Sequence, residues 1–260
     1  QDAHIVLVPW LLTMEERTAL LTASRASGLP VLLVDAGVAG FLAVEAPRSF
    51  KALQLVTLPY SVFEHYSPHV SGDVPPEVFV GRGQEMREIS SPTGSLYVYG
   101  GRQLGKSAVL RRVQQDFDNG DDRLAIYLDL KARGIGGYNE AEHLWPVLLE
   151  EFQRRGVISN RASAATPHEM VPKIAGWLEE GSSRRILLLL DEADDFLESE
   201  SRERMVGTRI TRFPNLLPLK GLMDSSSRRF KVVFAGLHQV QRFSNISNTP
   251  LAHGGRDIEI

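Results

Sequence analysis

Gly100-Gly101-Arg102-Gln103-Leu104-Gly105-Lys106-Ser107 stands between an apolar run, Ser95-Leu96-Tyr97-Val98-Tyr99, and the helix-like stretch Ser107-Ala108-Val109-Leu110-Arg111-Arg112-Val113. The octapeptide fits G-x-x-x-x-G-K-[ST], the phosphate loop that joins a buried strand to a helix. Glycines let the backbone wrap around phosphates, and the amides of the first helical turn point at negative charge. In this pattern Gly100, Gly101, Arg102, Gln103, Leu104, Gly105, Lys106, Ser107 and Ala108 surround the phosphates. Lys106 reaches the β- and γ-phosphates, and the Ser107 hydroxyl is a ligand for Mg²⁺. The plain alternative is a chance glycine-rich turn between a strand and a helix.

A second motif weighs against chance. Arg185-Ile186-Leu187-Leu188-Leu189-Leu190-Asp191-Glu192 is a continuous apolar run ending in two carboxylates. A parallel strand covered on both faces needs no polar alternation, so such a run reads as a central strand. At its carboxyl end Asp191 would hold Mg²⁺ beside Ser107, and Glu192 would polarise an attacking water. The alternative here is a core strand followed by an acidic helix start. Together the two motifs predict a site for ATP or GTP.

Composition sets the bounds. In 260 residues, 43% are hydrophobic and 23% charged, values of a globular protein with a proper core. A net charge of −3 and a pI near 6.2 argue against a free-standing nucleic-acid surface, leaving a local basic patch open. The absence of cysteine excludes disulfides, thiolate zinc sites and cysteine nucleophiles, and suits a cytoplasmic location. The longest apolar stretch, Leu29 to Val44, is too short and too interrupted to span a bilayer, and no signal peptide is visible. An opening on Gln1 rather than Met suggests a piece of a larger parent.

Along the chain, His4 to Trp10 reads as a strand and Thr13 to Ser24 as a helix, with Thr13 and Glu16 forming a capping box. Pro30 to Asp35 reads as a second strand, followed by a short helix around Gly40 to Val44. Asp35 at a strand end resembles a phosphoacceptor, but with no phosphate loop before it a turn residue is the better reading. We therefore expect a small α/β segment over residues 1–58. A proline- and glycine-containing linker follows over 59–77, where His65 and His69 flank Pro68 rather than share a helix face.

From residue 78 to 260 strands and helices alternate as a parallel sheet requires. Arg123 to Leu130, Phe230 to Gly236 and Asp257 to Ile260 are further strands; Glu140 to Arg155 (kinked or late-starting at Pro146), Pro167 to Glu180 and Leu216 to Ser225 are helices. Glu198 to Arg212 reads only as a polar segment containing arginines. The fold class is thus α/β, a parallel sheet with helices on both faces.

These residues carry a family resemblance over about two-thirds of the chain. Phe79-Val80-Gly81-Arg82 with Glu85 looks like the F-x-G-R-x-x-E box of AAA+ and STAND ATPases, and of origin-recognition-type initiators. Tyr99 to Ser107 is similar to the Y-G-x-R-x-x-G-K-[ST] loop of bacterial STAND-like proteins. The resemblance implies that Val80 and Arg82 lie against the adenine, that ATP is preferred, and that Phe230 to Gly236 is the sensor-1 strand. The polar candidates at its tip are His238, taken as a catalytic candidate, and Gln239, with Arg242 a turn later; a lone histidine after a buried strand is more often a helix cap or a satisfied core residue. Arg256 occupies the place of an arginine finger, which would require a homo-oligomer, although an ordinary surface arginine in a Gly-Gly turn is the better reading. The lid and sensor-2 arginine of the family have no counterpart up to residue 260, so slow hydrolysis is expected. Asp191-Glu192-Ala193-Asp194 spells D-E-A-D, although the phosphate loop is not of the helicase kind.

The expected function is a Mg²⁺-dependent ATP-binding and ATP-hydrolysing module, a regulatory switch within a larger bacterial protein, with phage defence one setting. The alternatives are an ATP-driven nucleic-acid remodeller or loader of initiator type and a non-hydrolysing nucleotide-dependent scaffold.

Overall fold

The computed structural model describes residues 4–27, 29, 31–45, 74, 79, 81–137, 140–162, 165–202, 204–206, 209–237, 243 and 257–260. Two units emerge, residues 1–81 and residues 82–260.

In the first unit, β1 (His4–Leu7), α1 (Met14–Ser27), β2 (Val31–Val34) and α2 (Ala36–Glu45) follow one another, with the two strands parallel and His4 opposite Val31. The capping box forms: the Thr13 amide donates to Glu16 at 2.8 Å, and the Glu16 amide donates to the Thr13 hydroxyl at 3.3 Å. The helix it starts runs one turn beyond the expected Ser24. Asp35 is buried and accepts the amides of Leu12 and Val38 while pairing with Arg17. Burial pushes its carboxyl upward, but those amides and the guanidinium outweigh it and hold Asp35 below the ordinary range. Its acid is spent on closing the turn into α2.

The second unit runs α3 (Gly83–Ser90), β3 (Leu96–Tyr99), α4 (Lys106–Phe117), β4 (Arg123–Asp129), a 3₁₀ turn (Ala141–His143), α5 (Leu144–Arg154), α6 (Pro167–Glu179) and β5 (Arg185–Asp191). It continues through α7 (Asp194–Ser201), β6 (Arg204–Val206), β7 (Arg209–Thr211), α8 (Leu216–Ser225), β8 (Phe230–Gly236) and β9 (Asp257–Glu259). Five strands form one parallel sheet in the order β4-β5-β8-β3-β9, flanked by helices. The apolar run of β5 lies at its interior: Ile186 to Leu190 are buried on both faces. Pro146 sits in the first turn of α5, where its missing amide costs nothing, so the helix starts late rather than kinking. The segment read as merely polar becomes the end of α7 and an antiparallel hairpin, β6–β7, pairing Arg204 with Thr211.

The hairpin is closed at its base by a buried acid. Glu200 accepts the amides of Asn215 (2.9 Å) and Leu216 (3.0 Å) and the Asn215 side-chain amide (2.6 Å), capping the start of α8. Asn215 in turn accepts the Trp145 indole at 2.7 Å, tying α5 to the same point. Burial raises the Glu200 carboxyl above its ordinary value, against the pull of these three donors.

At the amino edge of the sheet, cations meet helix carboxyl ends. Lys231 of β8 donates to the carbonyls of Glu88 (2.8 Å) and Ser91 (2.9 Å) at the end of α3. Arg229 donates to Leu178 in the last turn of α6, to Gly181 just beyond it and to Ser226 after α8. Both placements complement the helix dipoles and satisfy terminal carbonyls. Lys231 is only 4% exposed, and burial lowers its ammonium from 10.5 to about 8, partly opposed by Glu88. Between those values the unfolded chain keeps a proton that the folded chain has released, so stability rises with pH there, by at most ~1.4 kcal/mol per pH unit. Denaturant unfolding of wild type and Lys231→Met from pH 7.5 to 10 isolates the effect: the wild type should gain on the variant as pH rises. A constant difference would mean that Lys231 stays charged throughout.

Candidate functional site

β3 delivers the chain into the glycine-rich loop at Tyr99. The backbone of Ile260 passes against Gly100 there, its amide donating to the Tyr99 carbonyl at 2.9 Å. A Cβ on Gly100 would lie 2.3 Å from the Ile260 carbonyl oxygen, so no side chain fits without moving backbone. Gly105, at φ +90°, turns the chain into α4 from the left-handed region that glycine tolerates. Gly105, the N-cap, has no side chain with which to satisfy the first amides of this helix. Lys106 is 6% exposed and curls under the loop, its ammonium donating to the carbonyls of Gly100 (3.1 Å) and Gly101 (2.7 Å). Arg102, Gln103 and Leu104 form the exposed crest, Ser107 is half-buried in the first turn of α4, and Ala108 is buried.

β5 ends on Asp191, 1% exposed. One of its carboxylate oxygens accepts the Tyr127 hydroxyl at 2.7 Å and the other accepts the Glu192 amide at 2.9 Å. Asp129 lies opposite Asp191 in the β4–β5 register. Glu192 is half-buried at φ +52°, a left-handed conformation that costs a non-glycine residue about 1–2 kcal/mol. Burial, then the neighbouring Asp191 carboxylate, raises the Glu192 carboxyl above the usual range, while Lys131 pulls it down. A carboxylate so raised is a better proton acceptor near neutral pH. Asp194, leading α7, accepts the Leu237 amide with both oxygens (3.0 and 3.2 Å), and Ala193 donates to Ala235 at 2.9 Å. The start of α7 is thus pinned to the end of β8.

Because all five strands run parallel, the glycine loop after β3 and the carboxylates after β5 share one edge of the sheet. With β8 between them, their strand ends are two spacings apart, ~10 Å. That is room for phosphates and a water between a cationic loop and an acidic rim. Among the described residues, no three His, Cys, Asp or Glu side chains cluster as a metal site. One hydroxyl, Ser107, and one buried carboxylate, Asp191, are donors of the kind that could hold Mg²⁺ together with substrate phosphates rather than in a closed protein cage.

Of the residues expected to lie against a base, Arg82 is left-handed at the start of α3 and pairs with Glu85 at 3.0 Å, while Val80 lies outside the described residues. His238, Gln239, Arg242 and Arg256 lie outside them too, as do His65 and His69. The sequence reading missed Tyr127, Arg111 and Asp194. Tyr127 and Asp129 break the apolar pattern of β4 at alternate positions, a signal for one polar face, but their partner emerges only with the register to β5.

A parallel sheet with helices about it, and a glycine loop and acidic strand end on one edge, define a P-loop NTPase. The family model of the AAA domain matches residues 88–243, more than half of the chain, and the chain belongs to that family, one of nucleotide-binding domains. No curated protein sequence matches it. Among the described residues no helix is long and apolar enough to cross a membrane.

Proposed function

We propose that this chain is a Mg²⁺-dependent ATP-binding and ATP-hydrolysing module that works as a switch within a larger protein. The observation that carries this reading is the shared sheet edge, with Lys106 and Ser107 after one strand and Asp191 and Glu192 after another. The amides of Gly100 to Ser107 receive the phosphates, in a cradle that a Cβ at Gly100 would fill. Lys106 exchanges its two loop carbonyls for phosphate oxygens. Ser107 and Asp191 would hold Mg²⁺, which when bound neutralises phosphate charge. Glu192 orients the attacking water and takes its proton, and Arg82 lies toward the base.

A switch is favoured over a nucleic-acid motor by the net charge of −3 and by the tie from Asp194 to Leu237, which couples the acidic rim to β8. ATP turnover by the purified chain, with and without Mg²⁺ and over a range of protein concentrations, tests this. Mg²⁺-dependent binding and turnover are expected, with a rate that climbs faster than concentration where a neighbour completes the site. No nucleotide binding at millimolar Mg–ATP would overturn the reading; DNA-stimulated, salt-sensitive turnover would replace the switch with a remodeller.

A further inference from the structure

Tyr127 has no place in the site as built so far, yet its hydroxyl donates to Asp191 at 2.7 Å from the neighbouring strand. In register it faces Leu189, two residues before Asp191, so the two side chains lie on the same side of the sheet. Only a side chain as long as tyrosine, carrying a donor at its tip, bridges that diagonal. The ring is itself seated: the Arg111 guanidinium of α4 lies over it, 4.4 Å from the centroid. Among the described residues the buried Nε of Arg111 has no hydrogen-bond partner, so no acceptor there draws the guanidinium off the ring. A cation over the ring face is attracted to its negative quadrupole and polarises the hydroxyl toward donation. Arg111 follows Lys106 on the same helix, so one helix carries the phosphate lysine at its start and the Tyr127 support one turn further on.

We propose that Tyr127 is a positioning residue for the divalent cation, acting through Asp191. Its hydroxyl and the Glu192 amide each hold one oxygen of the carboxylate, so the cation meets a plane already set rather than a freely rotating group. The inference rests on the assignment of Asp191 to Mg²⁺ made above. Arg111 contributes one step further out, by fixing the ring.

Tyr127→Phe keeps the ring and the Arg111 stack and removes only the donor. Titrating Mg²⁺ against the chain at fixed ATP, with thermal shift or displacement of a fluorescent ATP analogue as readout, gives the Mg²⁺ half-saturation without reference to turnover. Tyr127→Phe should raise it about tenfold, while leaving Mg²⁺-free ATP binding unchanged, which a merely structural loss would not do. Arg111→Met, with Tyr127 intact, should raise it about threefold by loosening the ring, and reports on the same link should Tyr127→Phe fold poorly. A folded Tyr127→Phe with wild-type half-saturation overturns the inference when Asp191→Asn weakens Mg²⁺. If Asp191→Asn leaves the half-saturation unchanged, the assignment of Asp191 falls, and this inference with it.

Discussion

Glu192→Gln should bind Mg–ATP as tightly as wild type and turn it over about 10²- to 10⁴-fold more slowly, the range a lost general base costs. The amide keeps the length of the glutamate but cannot accept a proton, so the change falls on the chemical step alone. Single-turnover hydrolysis beside an equilibrium binding measurement separates the two. Wild-type turnover in this variant would remove Glu192 from the chemistry. Glu192→Gly provides an independent check on the backbone. The glutamate is held at φ +52°, and glycine adopts that conformation without penalty. Glu192→Gly should therefore lose turnover equally and yet gain about 1 kcal/mol of stability, a gain that Glu192→Gln does not share.

The second large effect is expected at Lys106. Lys106→Ala removes a buried ammonium whose donors are held beneath the loop by Gly100 and Gly101. Loss of a charge-assisted phosphate contact in such a place should weaken ATP binding by about 10²-fold or more, on the order of 3 kcal/mol. Without nucleotide the variant should unfold at a slightly lower temperature, since two hydrogen bonds go with the side chain. Isothermal titration with ATP, and thermal unfolding without it, read the two consequences separately. Tight ATP binding by the alanine variant would mean that the loop amides alone hold the phosphates.

What could be read from residues alone was local. The glycine loop and the acidic strand end each declare themselves within eight consecutive residues, and the Thr13–Glu16 cap within four. Strand order was not legible, because β4, β5 and β8 are all largely apolar and nothing in such a run names its neighbour. That β8 separates the loop strand from the carboxylate strand is settled by packing. The hairpin β6–β7 escaped for another reason: strands of three residues carry too little alternation to be seen. Glu200, Asn215 and Trp145 meet across as many as 70 positions of sequence, so their network belongs to the tertiary structure alone. Tyr127 lay between, visible as a polar interruption in β4 but mute about its partner.

α7 ends in a carboxylate anchor at each end, Asp194 on the Leu237 amide and Glu200 on the first amides of α8. Eight helical residues span ~12 Å, and a helix resists compression along its axis far better than a loop does. Mechanically it is a strut. Push on the hairpin or on α8, and the thrust arrives at the other end of the rod, where Glu192 stands immediately before it. Anything that grips that far side therefore holds a handle on Glu192, the carboxylate proposed to activate water.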